Sequence, residues 1–211
     1  MTSALIVDDH PIVLQGCRRV LEDAGIEPVL AASDLVAGYR LYLRHRPDVA
    51  IVDLAIQGKG LGGLELIRRI KSQDAGAHIL VLSMHDDATI VARSLEAGAS
   101  GYVLKDTSSD ELVKAVQQVA MGAHYLSGDL AVKVALAGVG ARGNPLADLT
   151  PRELQVLALL ADGKPYDRIA RELNVSYKTV VNVSSQLKQK LAARNLPELV
   201  STAVRLLALP A

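Results

Sequence analysis

Apolar and polar positions in the first 122 residues alternate between two periods. Short unbroken apolar runs fall near residues 4–7, 28–32, 48–52, 78–82 and 101–104. Between them, near 12–24, 34–45, 64–73, 87–97 and 108–121, apolar residues recur every three or four positions. The short runs predict strands buried on both faces, and the wider spacing predicts helices with one apolar stripe. Strands alternating with helices predict βαβ units and a parallel sheet. Right-handed crossovers then place every strand's carboxyl end on one edge. Ser33 or Asp34 is placed to cap the second helix, and the Asp106–Ser109 stretch to cap the fifth.

The pattern changes after residue 122. Gly122, Gly128, Gly138, Gly140, Gly143 and Pro145 interrupt the chain, leaving one short apolar stretch, Leu130–Ala137. This composition predicts a linker over 123–147 holding one short helix. Helical signals dominate from there on. Thr150-Pro151-Arg152-Glu153 offers an N-cap, a proline at the first helical position and a glutamate three residues after the cap. That helix is predicted to run to about Ala161 and stop at Gly163. A second covers Tyr166–Leu173, Asn174-Val175 makes a turn, and Ser176 caps a third through Leu191. A fourth is predicted to begin after Pro197 and carries Leu199, Val200, Ala203, Val204, Leu206 and Leu207. Two helices about a tight turn form a helix–turn–helix.

Composition adds three constraints. With 211 residues, 50% of them hydrophobic, the chain has material for one or two domains with ample core. The single cysteine, Cys17, sits in a predicted amphipathic helix, which points to a packed thiol in a reducing compartment. There is no uninterrupted apolar stretch of ~18 residues and no basic-then-apolar amino terminus, so a cytoplasmic protein without a membrane span or signal peptide is expected. The net charge of zero conceals an asymmetry: residues 1–122 hold 12 basic and 16 acidic side chains, residues 123–211 hold 11 and 7. An acidic half joined to a basic half places any polyanion partner on the carboxyl side.

The chemistry gathers at the predicted strand ends. Asp8 and Asp9 follow the run Ala4–Val7, and Asp53 follows Val49–Val52. A third run ends in Ser83, and Gly101–Leu104 is followed by Lys105. Ligands of open α/β folds bind outside that edge. If the first and third strands are neighbours, three carboxylates converge and raise one another's pKa unless a cation resolves the repulsion. Mg²⁺, a hard cation that prefers oxygen ligands, suits that set. A metal phosphatase with an aspartate nucleophile would need a second acid two residues further along the first strand. Asp8 and Asp9 are adjacent and Pro11 follows His10, which argues against it. By spacing, His10 begins the loop or caps the first helix and is no metal ligand.

Val7-Asp8-Asp9-His10, Asp48-Val-Ala-Ile-Val-Asp53-Leu54, Val81-Leu-Ser83 and Gly101-Tyr102-Val-Leu-Lys105 together resemble the receiver domain of two-component response regulators, over residues 1–122. The resemblance implies a flavodoxin-like, doubly wound, five-stranded parallel sheet. It implies that Asp53 accepts a phosphoryl group from a sensor histidine kinase, and that Asp8, Asp9, Asp53 and the backbone carbonyl of Ala55 hold Mg²⁺. Ser83 would hydrogen-bond the phosphoryl group, Lys105 would pair with it, and Tyr102 would swing inward on activation. Such a protein is no enzyme acting on an external substrate. One stretch departs from the pattern: Gln57 stands where receivers usually carry proline, and glycines at 58, 60, 62 and 63 predict a mobile loop beside Asp53.

Leu149-Thr-Pro-Arg-Glu153, Ile169-Ala-Arg-Glu-Leu173, Ser176-Tyr-Lys-Thr-Val180 and Lys190-Leu191 resemble the LuxR-type DNA-binding domain, a small all-α four-helix unit, over residues 148–211. Paired with a receiver, this is the layout of the NarL-like response regulators. In the third helix, Val180, Val183, Leu187 and Leu191 form one apolar stripe. The opposite face carries Val181, Asn182, Ser185, Gln186 and Gln189. Asn and Gln can pair with adenine edges. Lys178, Thr179, Lys188, Lys190 and Arg194 are placed for phosphates. Family members commonly carry a basic residue at Val181, His at Val183 and an apolar residue at Ser184. The missing charge predicts weak binding of double-stranded DNA by one domain, and more reliance on a homodimer through the last helix. The expected function is a phosphorylation-controlled transcription regulator. The alternative is a phospho-receiver acting mainly through protein–protein contacts.

Overall fold

The computed structural model describes residues 2–56, 60–139, 145–146 and 148–207, without the side chains of 136–139. The predicted strands form as β1 (Ala4–Val7), β2 (Val29–Ala32), β3 (Val49–Val52), β4 (Ile79–Ser83) and β5 (Gly101–Leu104). The helices between and after them are α1 (Pro11–Asp23), α2 (Leu35–His45), α3 (Gly63–Gln73), α4 (Ala88–Glu96) and α5 (Ser109–Ala120). Asp34 caps α2 through the Ala37 amide, and Ser108 caps α5 through that of Glu111. Side chains alternate across the sheet. Leu5, Val7, Val52 and Val81 pack toward α2, α3 and α4, whereas Ile6, Ile51, Leu80 and Val103 pack toward α1 and α5. Cys17 is half-buried in α1, where burial first and the Asp8 carboxylate second push its thiol up to about 11.

The sheet has six strands rather than the expected five, in the order β2-β1-β3-β4-β5-β6, all parallel. The added β6 (Tyr125–Leu126) lies in the stretch expected to be linker. Two residues are too few to show a period. This strand is made by its surroundings: the Tyr125 amide donates to Ser100 O at 3.1 Å and its hydroxyl to Glu111 Oε1 at 3.1 Å. The helix expected near Leu130–Ala137 is α6 (Gly128–Val139). It lies on α4, buries Leu130 and pairs Lys133 with Asp86.

The carboxyl-terminal unit contains α7 (Pro151–Ala161), α8 (Tyr166–Glu172), α9 (Tyr177–Lys190) and α10 (Leu196–Leu207). The predicted capping box is complete: Thr150 Oγ1 accepts from the Glu153 amide at 3.2 Å, and Glu153 Oε2 accepts from the Thr150 amide at 2.7 Å. Helix α10 starts two residues earlier than expected, with Pro197 in its first turn, where a missing N–H costs nothing. Leu154, Val156, Leu157, Ala158, Leu159 and Leu160 of α7 are all buried, so its middle turns have no solvent face, and only Pro151 at its start is exposed. An apolar helical stretch of that kind must be covered all round. One side of α7 packs on α9 and α10; beyond that, the buried core around it runs without a break into Leu61 and Leu64 of the first unit.

That packing bears on the glycines from 60 to 63, where slack was expected. Gly60 has φ +61°, and a Cβ there would stand 2.8 Å from Gln155 O of α7. A Cβ on Gly63 would stand 2.2 Å from Asp53 O. Gly60 and Gly63 are required by close approach of backbones, and both are buried. Gln57 and Gly58 lie outside the described residues. Among the described residues, no helix is long and apolar enough to cross a membrane.

Candidate functional site

Strand β1 lies beside β3, with Val7 opposite Val52. The strand order reverses direction there, which opens the crevice where ligands of such sheets bind. The backbone ladder runs on into the acids. Asp8 donates its amide to Ala32 O at 3.1 Å, and Asp53 donates its amide to Val7 O at 2.9 Å. The sheet itself therefore fixes where the carboxylates point. Asp8 is 1% exposed and Asp53 2%. From the end of β5, Lys105 Nζ reaches 2.7 Å from Asp8 Oδ2 and 2.9 Å from Asp53 Oδ2.

The electrostatics of this trio are incompletely balanced. Burial raises the Asp53 pKa, and Lys105 opposes that rise without cancelling it. Burial works against the charge on Lys105, yet the attraction of Asp53 and Asp8 leaves its pKa above the usual lysine value. Asp8 Oδ2 and Asp53 Oδ2 are buried in charge contact with the amine but receive no aligned hydrogen bond. Ligand atoms of Asp8, Asp9, His10 and Asp53 all lie within 4.8 Å of one another. Clustered carboxylate oxygens lacking donors suit a hard divalent cation.

His10 escaped the sequence reading. It stands at the N-cap of α1, as expected, but makes no side-chain cap. Its ring folds back instead, with Nδ1 2.9 Å from Asp8 Oδ1 and 3.1 Å from Asp9 Oδ1. The available signal was its adjacency to two acids just before a helix. Ser83 is fully buried, and its Oγ accepts from the His85 amide at 3.3 Å. Tyr102, expected to swing inward, already points inward: it is fully buried and donates to His85 O at 2.6 Å. Burial holds its hydroxyl pKa well above the ordinary tyrosine value. Ala55 follows Asp53 in the loop, and its backbone hydrogen-bonds the Asp53 carboxylate.

The carboxyl-terminal unit sits over the mouth of this crevice. A cavity of about 210 Å³ separates them, lined by Ala55, Gly60 and His85 on one side and by Ala158, Asp162 and Leu207 on the other. Arg93 of α4 anchors the edge by donating from Nη2 to Leu149 O at 2.5 Å.

The polar face of α9 stands away from that seam. Lys178, Asn182, Ser185, Gln186 and Gln189 are exposed, while Val180 and Leu187 are buried as predicted. Thr179 is half-buried, its hydroxyl 2.8 Å from Ser176 Oγ in the cap, and Lys188 is half-buried as well. Lys190, assigned to phosphate contact, is engaged elsewhere. Its Nζ lies 2.8 Å from Glu153 Oε2 and 3.0 Å from Asp148 O, so it braces α9 against the start of α7. Ser184 is 1% exposed and accepts from the Tyr166 hydroxyl at 2.6 Å, which satisfies a polar group at an otherwise apolar position.

Comparison with known proteins covers both units. Residues 4–117 match the response regulator receiver domain, and residues 147–203 match the bacterial regulatory proteins of the luxR family. The methanol utilization control regulatory protein MoxX of Paracoccus denitrificans is 38% identical over 201 residues, 95% of this chain and 90% of that one. The response regulator UvrY of Escherichia coli K12 is 34% identical over 208 residues, 97% and 94% of the two chains. Among solved structures, the RcsB response regulator of Salmonella typhimurium superposes with a TM-score of 0.76 at 30% identity, covering 98% of each chain. RcsB of Salmonella enterica serovar Typhimurium, bound to promoter rprA with the phosphomimetic BeF3-, gives 0.72 at 30% identity over 95% and 96%.

Proposed function

Since the chain belongs to the response regulators that join a receiver domain to a luxR-family regulatory domain, we propose that it is a transcription regulator whose DNA binding is controlled by phosphorylation of Asp53. The observation that carries this reading is Lys105 bridging Asp8 and Asp53 at the carboxyl edge of the sheet. A sensor histidine kinase is the partner that fits as phosphoryl donor. The receiver spans 1–122 with β6 and α6 attached to it, and the DNA-binding unit spans 148–211.

Phosphoryl transfer requires positioning and charge neutralisation more than covalent help. The Asp53 carboxylate is the nucleophile, held in line by the backbone ladder. Asp8, Asp9, Asp53 and the Ala55 carbonyl would hold Mg²⁺, which supplies charge neutralisation at the phosphoryl oxygens. Asp53 takes the phosphoryl group as an acyl phosphate while the kinase histidine leaves; Lys105 then follows the phosphoryl charge, and Ser83 Oγ hydrogen-bonds it. Tyr102, locked to His85 O in the same loop, holds the inward arrangement. The chain transfers nothing to an outside substrate.

Leu207 of α10 lines the cavity over the site. A homodimer through α10 therefore requires the two units to part. Incubation with a small phosphodonor and Mg²⁺ is expected to add one phosphoryl mass, lost in Asp53→Ala. An unchanged mass in the wild type defeats the mechanism. Light scattering with and without beryllium fluoride then reads coupling to dimerisation, and gel shifts across a salt series separate DNA binding from a purely protein-directed role.

A further inference from the structure

The helix–turn–helix carries an aromatic side chain that no role above uses. Tyr177, the first residue of α9, is 57% exposed. It is braced: its ring lies 6.1 Å from that of Tyr166, at 59°. Tyr166 in turn is pinned by its hydrogen bond to the buried Ser184. The start of α9 is fixed as well, since Ser176 Oγ accepts from the Thr179 amide at 3.1 Å. A braced exposed ring loses less rotamer freedom on binding than a loose one.

Val181, where family members commonly carry a basic residue that can contact a base or a phosphate, stands four residues further on and is half-buried. Positions four apart lie on one face of a helix. Tyr177 and Val181 thus form one flank of α9, bordered by exposed Ser185 and Lys178. A recognition helix turns its first residues toward base edges in the major groove. There the thymine 5-methyl is the apolar feature that distinguishes one base pair from another, and the adenine edge is the feature amides read.

We propose that Tyr177 and Val181 form an apolar ledge that reads thymine methyl groups, which gives this domain a preference for A·T pairs. The proposal rests on the DNA-binding reading above. It replaces a charged contact at Val181 by an apolar one, exchanging salt-dependent affinity for sequence preference.

The test selects binding sites from a random duplex pool with the full phosphorylated chain, then replaces thymines by deoxyuridine, which removes only the methyl. Wild type is expected to bind about three- to fivefold more weakly for each contacted methyl removed. Tyr177→Ala should bind thymine and deoxyuridine duplexes alike at its step, with an unchanged salt slope. Tyr177→Phe should keep the discrimination. Val181→Lys should lose it at its own step and show a steeper salt slope. Lys178→Ala serves as the control: both duplexes weaken equally and the slope falls by about one. Equal binding of both duplexes by wild type, or retained discrimination in Tyr177→Ala, overturns the ledge. A pool that yields no preferred sequence overturns the DNA-binding reading itself.

Discussion

Two buried carboxylates in this molecule each meet one lysine, and they titrate in opposite directions. Asp53, 2% exposed, lies 2.9 Å from Lys105. Glu153, 4% exposed, lies 2.8 Å from Lys190. Burial raises both, yet Asp53 ends above the ordinary aspartate value and Glu153 below the ordinary glutamate value. The difference lies in the remaining donors. Glu153 also receives the amide and hydroxyl of Thr150, and its lysine serves no second acid. Asp53 shares its lysine with Asp8, and beyond that lysine only the Ala55 backbone lowers its pKa. A fully supplied buried pair is a structural brace. An undersupplied one stays poised for an added charge.

The largest way to break the comparison is Lys105→Met. It leaves Asp8 and Asp53 facing each other in a dry crevice, and breaking a buried pair from one side costs about 3–5 kcal/mol. Urea unfolding in Mg²⁺-free buffer should show that loss, with part of it regained on adding Mg²⁺. Glu153→Gln should cost about 1–2 kcal/mol at pH 7, through the capping box and the brace. The folded pKa of Glu153 is depressed, so its stabilisation is complete above the ordinary glutamate value and is lost as pH falls through the folded pKa. Unfolding curves for wild type and variant should therefore converge below that value.

Asp53→Asn should have the opposite sign. Removing a crowded acid with a raised pKa should stabilise the Mg²⁺-free protein by about 1 kcal/mol, seen as a higher Tm. An unchanged or lower Tm would mean that the crevice is already neutralised and the contrast with Glu153 fails. The smallest effect sharpens a related contrast. Glycines take the left-handed positions at 25, 60, 98, 122 and 163, whereas Arg46, Asn174 and Ala192 adopt them with a side chain, Ala192 at φ 53° after α9. Ala192→Gly should stabilise by about 0.5–1 kcal/mol in thermal unfolding.

The receiver crevice was legible because a strand end is a local signal. Asp8, Asp9, Asp53, Ser83 and Lys105 each follow an apolar run, and a parallel sheet brings such ends together. The cap at Thr150 was legible for the same reason. What the pattern hid was non-local. Lys190 and Glu153 are 37 residues apart, and nothing in a helical face shows that one of its lysines is already engaged. Strand β6 is two residues long and owes its pairing to β5. Gly60 looked like slack because its crowding comes from α7, nearly a hundred positions away. His10 keeps the N-cap position but turns its ring to Asp8 and Asp9, a side-chain direction that no periodicity encodes.

The strip β6–α6 has a consequence for anyone moving these parts between proteins. The receiver match ends at residue 117 and the luxR-family match begins at 147. A graft cut in that gap looks harmless on paper. Trimmed at 117, a transplanted receiver would lose buried Val119 from its core and Tyr125 from its edge, and the open side of β5 would offer unpaired backbone to any other chain. Leu146 and Leu149, at the far end of the gap, are buried in the core that runs between the two units. A chimera with a working receiver would need to carry residues through the end of α6, and its new effector would need a helix whose backbone closes on Gly60 and, just ahead of it, a carbonyl for Arg93.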